Sequence, residues 1–141
     1  MAATDYPDFE GGKQRVYLTP EWAAKEAVDK DFSQIGVGLA VGAGILQTYL
    51  VPAGKTLYIT LSSGACYAFA AADAELNQIV FAYVRDLTTG AMGLLIGGNG
   101  GYFAAFGKPF VVVAGHTLEA GVYNKTNHVA NISQIVSGYE V

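Results

Sequence analysis

Residues 51–59 read VPAGKTLYI, and the pentad inside them, Ala53-Gly54-Lys55-Thr56-Leu57, returns at 114–118 as Ala114-Gly115-His116-Thr117-Leu118. Gly54-Lys55-Thr56 has the letters that end a phosphate-binding loop. That loop needs a second glycine five residues earlier, so that successive backbone N–H groups can wrap the phosphates, and Tyr49 stands there. It must also open a helix. Here Leu57, Ile59 and Leu61 alternate with Tyr58, Thr60 and Ser62 in the two-residue period of a half-buried strand. The second copy carries His where the first has Lys, a swap that a phosphate site would not tolerate. Both copies follow an apolar run and precede a strand-like one, so both read as β-turns in which glycine supplies a positive φ.

Working outward from the two pentads, the chain from residue 46 is a series of short strand-like runs, at 46–52, 56–62, 65–71, 78–86, 91–97, 102–106, 109–114, 117–124 and 128–136. Turn residues separate them, and Asn99-Gly100 is the strongest hairpin signal among these. About eight strands at this spacing imply an all-β sandwich or barrel. No connection is long enough for a helical crossover, so the sheets should be antiparallel. Two AGxTL corners at equivalent places in two Greek-key halves favour a jelly roll.

The N-terminal part differs. Residues 1–18 lack sustained periodicity and contain Pro7, Gly11 and Gly12, so they read as an extended arm. Thr19 as N-cap, Pro20 at the first helical position and Glu21 near the positive end of the dipole start a short helix. It is expected over about 19–32, with Trp22, Val28 and Phe32 as its large apolar groups. The expected division is therefore an arm at 1–33 and a jelly-roll domain at 34–141. Residues 35–46, IGVGLAVGAGIL, are apolar throughout, but Gln47 and Thr48 stop the run short of the ~20 residues that span a bilayer. Four glycines also make it a poor helix, and an extended or loop-like lead into the first strand is expected.

Charge is unevenly placed. Residues 1–33 hold 11 of the 20 charged side chains; 34–141 hold the other 9, or 8%, against about 25% in an ordinary domain. The domain covers itself instead with Ala, Ser, Thr, Asn, Tyr and 16 of the 18 glycines. Such a surface resembles the core of a protein interface, which is depleted in charge and enriched in aromatic side chains. Eight Lys and Arg against 12 Asp and Glu argue against nucleic-acid binding by phosphate neutralisation. The first residues show no cationic stretch followed by an apolar one, and so do not read as a signal peptide.

Candidates for chemistry are few. His116 lies in a turn and His128 begins a strand, without metal-ligand spacing. Cys66 lies in an apolar run and reads as a small buried side chain. Asp73 and Glu75 read as a loop tip, and Arg85-Asp86 as a local ion pair. Asn124-Lys125-Thr126 matches a glycosylation sequon by letter but reads as a turn. No catalytic residue, cofactor or metal site is assigned. In GGNGGYFAAFG, Tyr102, Phe103 and Phe106 lie among small neighbours that would let rings meet a partner or a sugar. One face of that strand must hold the core, which would take Phe103 or Phe106.

VPAGKTLYIT, PFVVVAGHTLEAGVYNKTN and the terminal IVSGYEV resemble the jelly-roll structural proteins of tailed bacteriophages and related viruses: decoration, cement, head-spike and minor capsid proteins. TPEWAAKEAVDKDF is similar to their N-terminal segments. The resemblance implies a noncatalytic capsid decoration or cement subunit, commonly a homotrimer, made in the host cytoplasm and placed on the capsid surface. Its partners would be its own copies and the major capsid protein, with no nucleic acid or membrane. Tyr17, Trp22 and Phe32 are expected to anchor the arm, with Tyr102 and Phe106 at a subunit interface. The rival readings are a tail, spike or major capsid component, or a module that binds a glycan or receptor.

Overall fold

The computed structural model describes residues 27–74 and 76–141. They form eight strands: β1 (Val28–Leu39), β2 (Gly44–Leu50), β3 (Thr56–Ala68), β4 (Ile79–Asp86), β5 (Met92–Asn99), β6 (Gly101–Val113), β7 (Thr117–Asn124) and β8 (Ala130–Glu140). One 3-10 turn, Ala71–Asp73, interrupts the connection between β3 and β4. Two four-stranded antiparallel sheets face each other, in the orders β1-β8-β3-β6 and β2-β7-β4-β5. The expected all-β antiparallel sandwich is what the chain forms.

Only β4 and β5 are both consecutive and paired; every other connection passes from one sheet to the other. The pairs β1–β8, β2–β7, β3–β6 and β4–β5 make one long hairpin, wrapped so that β8 also meets β3 and β7 also meets β4. The hairpin ladder continues through its corners. Gly42 N donates to Asn124 O at 2.9 Å, and Gly100 N donates to Gln78 O at 2.8 Å. Val51 accepts from Gly115 N and donates to His116 O, both at 2.9 Å. The two AGxTL pentads are thus adjacent corners of the same wrapped hairpin. Gly54 (φ 78°) and Gly115 (φ 80°) both take the left-handed conformation that the turn reading requires.

Alternation builds the core. In β4, Val80, Ala82, Val84 and Asp86 are buried while Ile79, Phe81, Tyr83 and Arg85 are only partly covered. One cluster gathers Val51, Leu57, Ile59, Val84, Val112, Leu118, Ala120 and Val136; the other gathers Cys66, Val80, Ala82, Val122, Ala130 and Ile132. Buried Gln134 reaches across the interior. Its Nε2 donates to Gly121 O at 3.2 Å and to Tyr102 Oη at 3.1 Å, and its Oε1 accepts from Gln34 Nε2 at 2.7 Å.

Several expectations are corrected. Val28–Leu39 is a strand, so a helix over about 19–32 cannot extend past residue 27, and the arm cannot reach residue 33. The rest of the segment expected to be helical lies outside the described residues. The strand was hidden because its inward positions include polar Lys30 and Gln34. Lys30 Nζ lies 5.2 Å from the Tyr49 ring centroid and 3.4 Å from Glu140 Oε1, so its alkyl stem is covered while its charge is paired. Runs 56–62 and 65–71 merge into β3, and 102–106 and 109–114 into β6. Where β6 pairs with β3, the register steps from Ala105↔Leu61 to Phe110↔Ile59, so the Gly107-Lys108 separator is a bulge rather than a break.

Asn99-Gly100 is no hairpin either, because it joins strands of different sheets. Gly101 has φ 152°, and a Cβ there would come within 2.4 Å of Gly64 O. The glycines serve close backbone approach at a corner rather than a two-residue hairpin turn.

Candidate functional site

Each sheet turns one face outward. On β1-β8-β3-β6 the outward positions run across the strands in rows: Ile35–Ser133–Ala65–Gly101, Ser33–Ile135–Ser63–Phe103, Asp31–Ser137–Leu61–Ala105 and Asp29–Tyr139–Tyr58–Val111. Asp29 and Asp31, both on edge strand β1, are the charged residues of these four rows. Phe103 is 70% exposed, Val37 68% and Ile35 67%. Tyr67, Ile135, Val111 and Val113 are exposed as well. Large apolar side chains separated by Ser and Ala make a broad face with little charge, the kind of patch that marks an interaction surface. At one end of this face the Tyr58 and Tyr139 rings stack, 5.0 Å apart and 14° from parallel. Gly54, Thr56, Tyr58 and Val141 line a cavity of about 310 Å³ beside them.

The outward face of β2-β7-β4-β5 is built differently. Its rows are Leu46–Gly121–Tyr83–Leu95, Gly44–Tyr123–Phe81–Gly97 and Thr48–Glu119–Arg85–Met92. Arg85 Nε donates to Glu119 Oε1 at 2.7 Å, and Tyr83 Oη donates to the same oxygen at 3.2 Å. Burial raises the Tyr83 hydroxyl above the ordinary phenol value and the Glu119 charge adds to this, so it remains a donor. The hydrogen bond to Glu119 raises Arg85 further, against partial desolvation.

The residues singled out from sequence take varied places. Tyr17 and Trp22 lie outside the described residues. Phe32 points inward, packs against the first core cluster and meets the Tyr49 ring at 5.1 Å, so it is a core residue rather than an exposed anchor. Tyr102 also points inward, its Oη 2.8 Å from Ser62 Oγ. Phe106 packs against the first cluster. Strand alternation in β6 sends 102 and 106 to the interior and 103 outward, which corrects the assignment of Tyr102 and Phe106 to a surface. Among the described residues the exposed rings are Phe103, Tyr67 and Phe69. Sequence reasoning also missed Ile35 and Val37 because it left that segment outside the strands.

The remaining chemical candidates have structural partners. His116 Nδ1 lies 2.7 Å from Asp86 Oδ2. His128 is held between Asn77 O and Val129 O, at 2.8 and 3.0 Å. Asn124 is buried, and its Nδ2 donates to Leu39 O and to His128 O, each at 2.9 Å, so the sequon nitrogen is inaccessible. Burial raises the Cys66 thiol, which disfavours the nucleophilic thiolate. Among the described residues, no three His, Cys, Asp or Glu side chains converge as a metal site, and no helix is long and apolar enough to cross a membrane. No family model and no curated protein matches the chain.

Proposed function

We propose that this protein is a noncatalytic jelly-roll subunit of a virion, a decoration or cement protein that clamps neighbouring subunits on a capsid surface. The strand orders β1-β8-β3-β6 and β2-β7-β4-β5 support the jelly-roll reading, since they are those of a four-pair hairpin rolled once around. The observation that carries the function is the exposed apolar face of the first sheet, with Ile35, Val37 and Phe103 each more than half exposed. A domain with 12 charges over residues 28–141 keeps such a face in water only at a cost in solubility, and association removes that cost.

Copies of this chain, as a homotrimer, and the major capsid protein are the partners that fit the face and the resemblance. The resemblance gives the charged N-terminal segment, which lies outside the described residues, the task of holding a neighbouring subunit. Repetition over lattice sites then turns modest contacts into firm attachment.

The mass in solution tests the assembly directly. Expected is a species of three times 14.8 kDa that dissociates when Phe103 becomes Asp. A particle of 14.8 kDa at every concentration overturns the interface reading. Electron microscopy of capsids carrying the protein then reads its position, and density away from the capsid surface overturns the decoration role.

A further inference from the structure

We propose that the outer face of β2-β7-β4-β5 is a carbohydrate site, in which a pyranose ring lies on Tyr83 and Tyr123 while its hydroxyls meet Arg85 and Lys125. This does not rest on the capsid reading, which uses the opposite sheet.

The two rings stand diagonally on neighbouring strands, 6.3 Å apart and within 23° of parallel. Glycine lets them lie down. A Cβ at Gly121 would come within 2.5 Å of Tyr83 Cε1, and one at Gly44 within 2.2 Å of Tyr123 Cδ1. Each ring therefore packs against a glycine of the adjacent strand, and each is also met by a cation, Tyr83 by Arg85 and Tyr123 by Lys125. Together they make a floor of aromatic carbon, fixed before any ligand arrives.

Polar groups border that floor at defined places. The Arg85 guanidinium is held by its Nε on Glu119, with Cζ 5.5 Å from the Tyr83 centroid. Among the described residues only Nε is engaged, which leaves the two Nη groups as a planar fork of donors over the Tyr83 ring. Lys125 Nζ lies 6.0 Å from the Tyr123 centroid at the other side. A pyranose has the matching form, with an apolar C–H face for the ring floor and a rim of hydroxyls that both donate and accept. A protein contact fits less well, because Glu119 and Lys125 are of the residue types that interfaces are depleted of. Small-ligand sites combine apolar area with a few placed polar groups in this way.

Saturation-transfer NMR on the full chain tests the proposal with oligosaccharides of glucose, galactose, N-acetylglucosamine and glucuronic acid. Expected is transfer to the ring C–H protons of at least one of them. Tyr123→Ala should weaken that binding about tenfold, the loss of one stacking partner, while Tyr123→Phe retains it. Lys55→Ala, at a distant corner, serves as the control that keeps binding, and thermal melting verifies that each variant folds. Failure of all four sugars to receive transfer overturns the proposal, and so does binding that survives Tyr123→Ala. A Tyr123→Ala variant that only melts lower, with no sugar bound by the parent, would mean that the rings merely cover sheet glycines.

Discussion

His116 Nδ1 lies 2.7 Å from Asp86 Oδ2, which ties the second AGxTL corner to the β4–β5 hairpin at the same end of the sandwich. Thr117 N donates to Thr88 Oγ1 at 3.0 Å and Leu87 N to Thr117 O at 2.8 Å, so three polar contacts make the tie. The substitution of His for Lys between the two pentads thus has a structural cause: this copy faces a buried carboxylate.

That carboxylate makes stability depend on acid. Burial alone would raise Asp86, but the His116 ring and the N–H groups of Thr89 and Thr88 outweigh it and hold the group below its ordinary 3.8. A carboxylate depressed in the folded state contributes stability above its unfolded pKa and loses it as pH falls through the folded value. Asp86→Asn should therefore lower the melting temperature at neutral pH and flatten its fall below about pH 4. Thermal melts of both proteins from pH 7 to pH 2 check this, and parallel curves would contradict it.

Gln134 should be intolerant of truncation. Gln134→Ala opens a cavity and strands Gln34, Tyr102 and the Gly121 carbonyl together, a loss of about 3 kcal/mol. Urea unfolding with an unchanged m-value would measure it. A loss near zero would mean that water replaces the amide.

The glycines differ in cost. Gly54→Ala meets open space and bears only the left-handed backbone penalty, about 1 kcal/mol. Gly101→Ala adds a collision with the Gly64 carbonyl, so it should cost clearly more. Comparing the two denaturation midpoints ranks them.

Phe103→Asp should leave the isolated domain within about 0.5 kcal/mol of the parent while abolishing association, because the ring faces outward. Chemical denaturation at low concentration and sedimentation at high concentration separate the two effects.

Removing residues 1–26 keeps all eight strands and should leave a cooperative unfolding transition that no longer attaches to capsids. Extending the deletion to residue 33 removes Val28 to Ser33 from β1, with Lys30 and Phe32, and should destabilise the sandwich as well. Circular dichroism melts distinguish the two truncations.

Where alternation was clean, position and sense were legible from residues alone: β4 and β7 match their expected bounds closely, and the turn at Gly54 needed no structure. β1 was not legible, since Lys30 and Gln34 face inward and their partners, Glu140 and Gln134, lie 110 and 100 positions away. The aromatic floor was equally hidden. Nothing local links Tyr83 to Gly121 or Tyr123 to Gly44.

Composition and period by themselves determined that this chain is an antiparallel β protein with glycine corners and a surface poor in ions, because those properties follow from local sterics and side-chain chemistry. Only the tertiary structure decided which strands share a sheet, that Asn99-Gly100 crosses between sheets, and that Phe103 rather than Tyr102 or Phe106 faces out. The register that turns a side chain inward or outward is fixed by pairing with distant strands, and a shift of one residue reverses it.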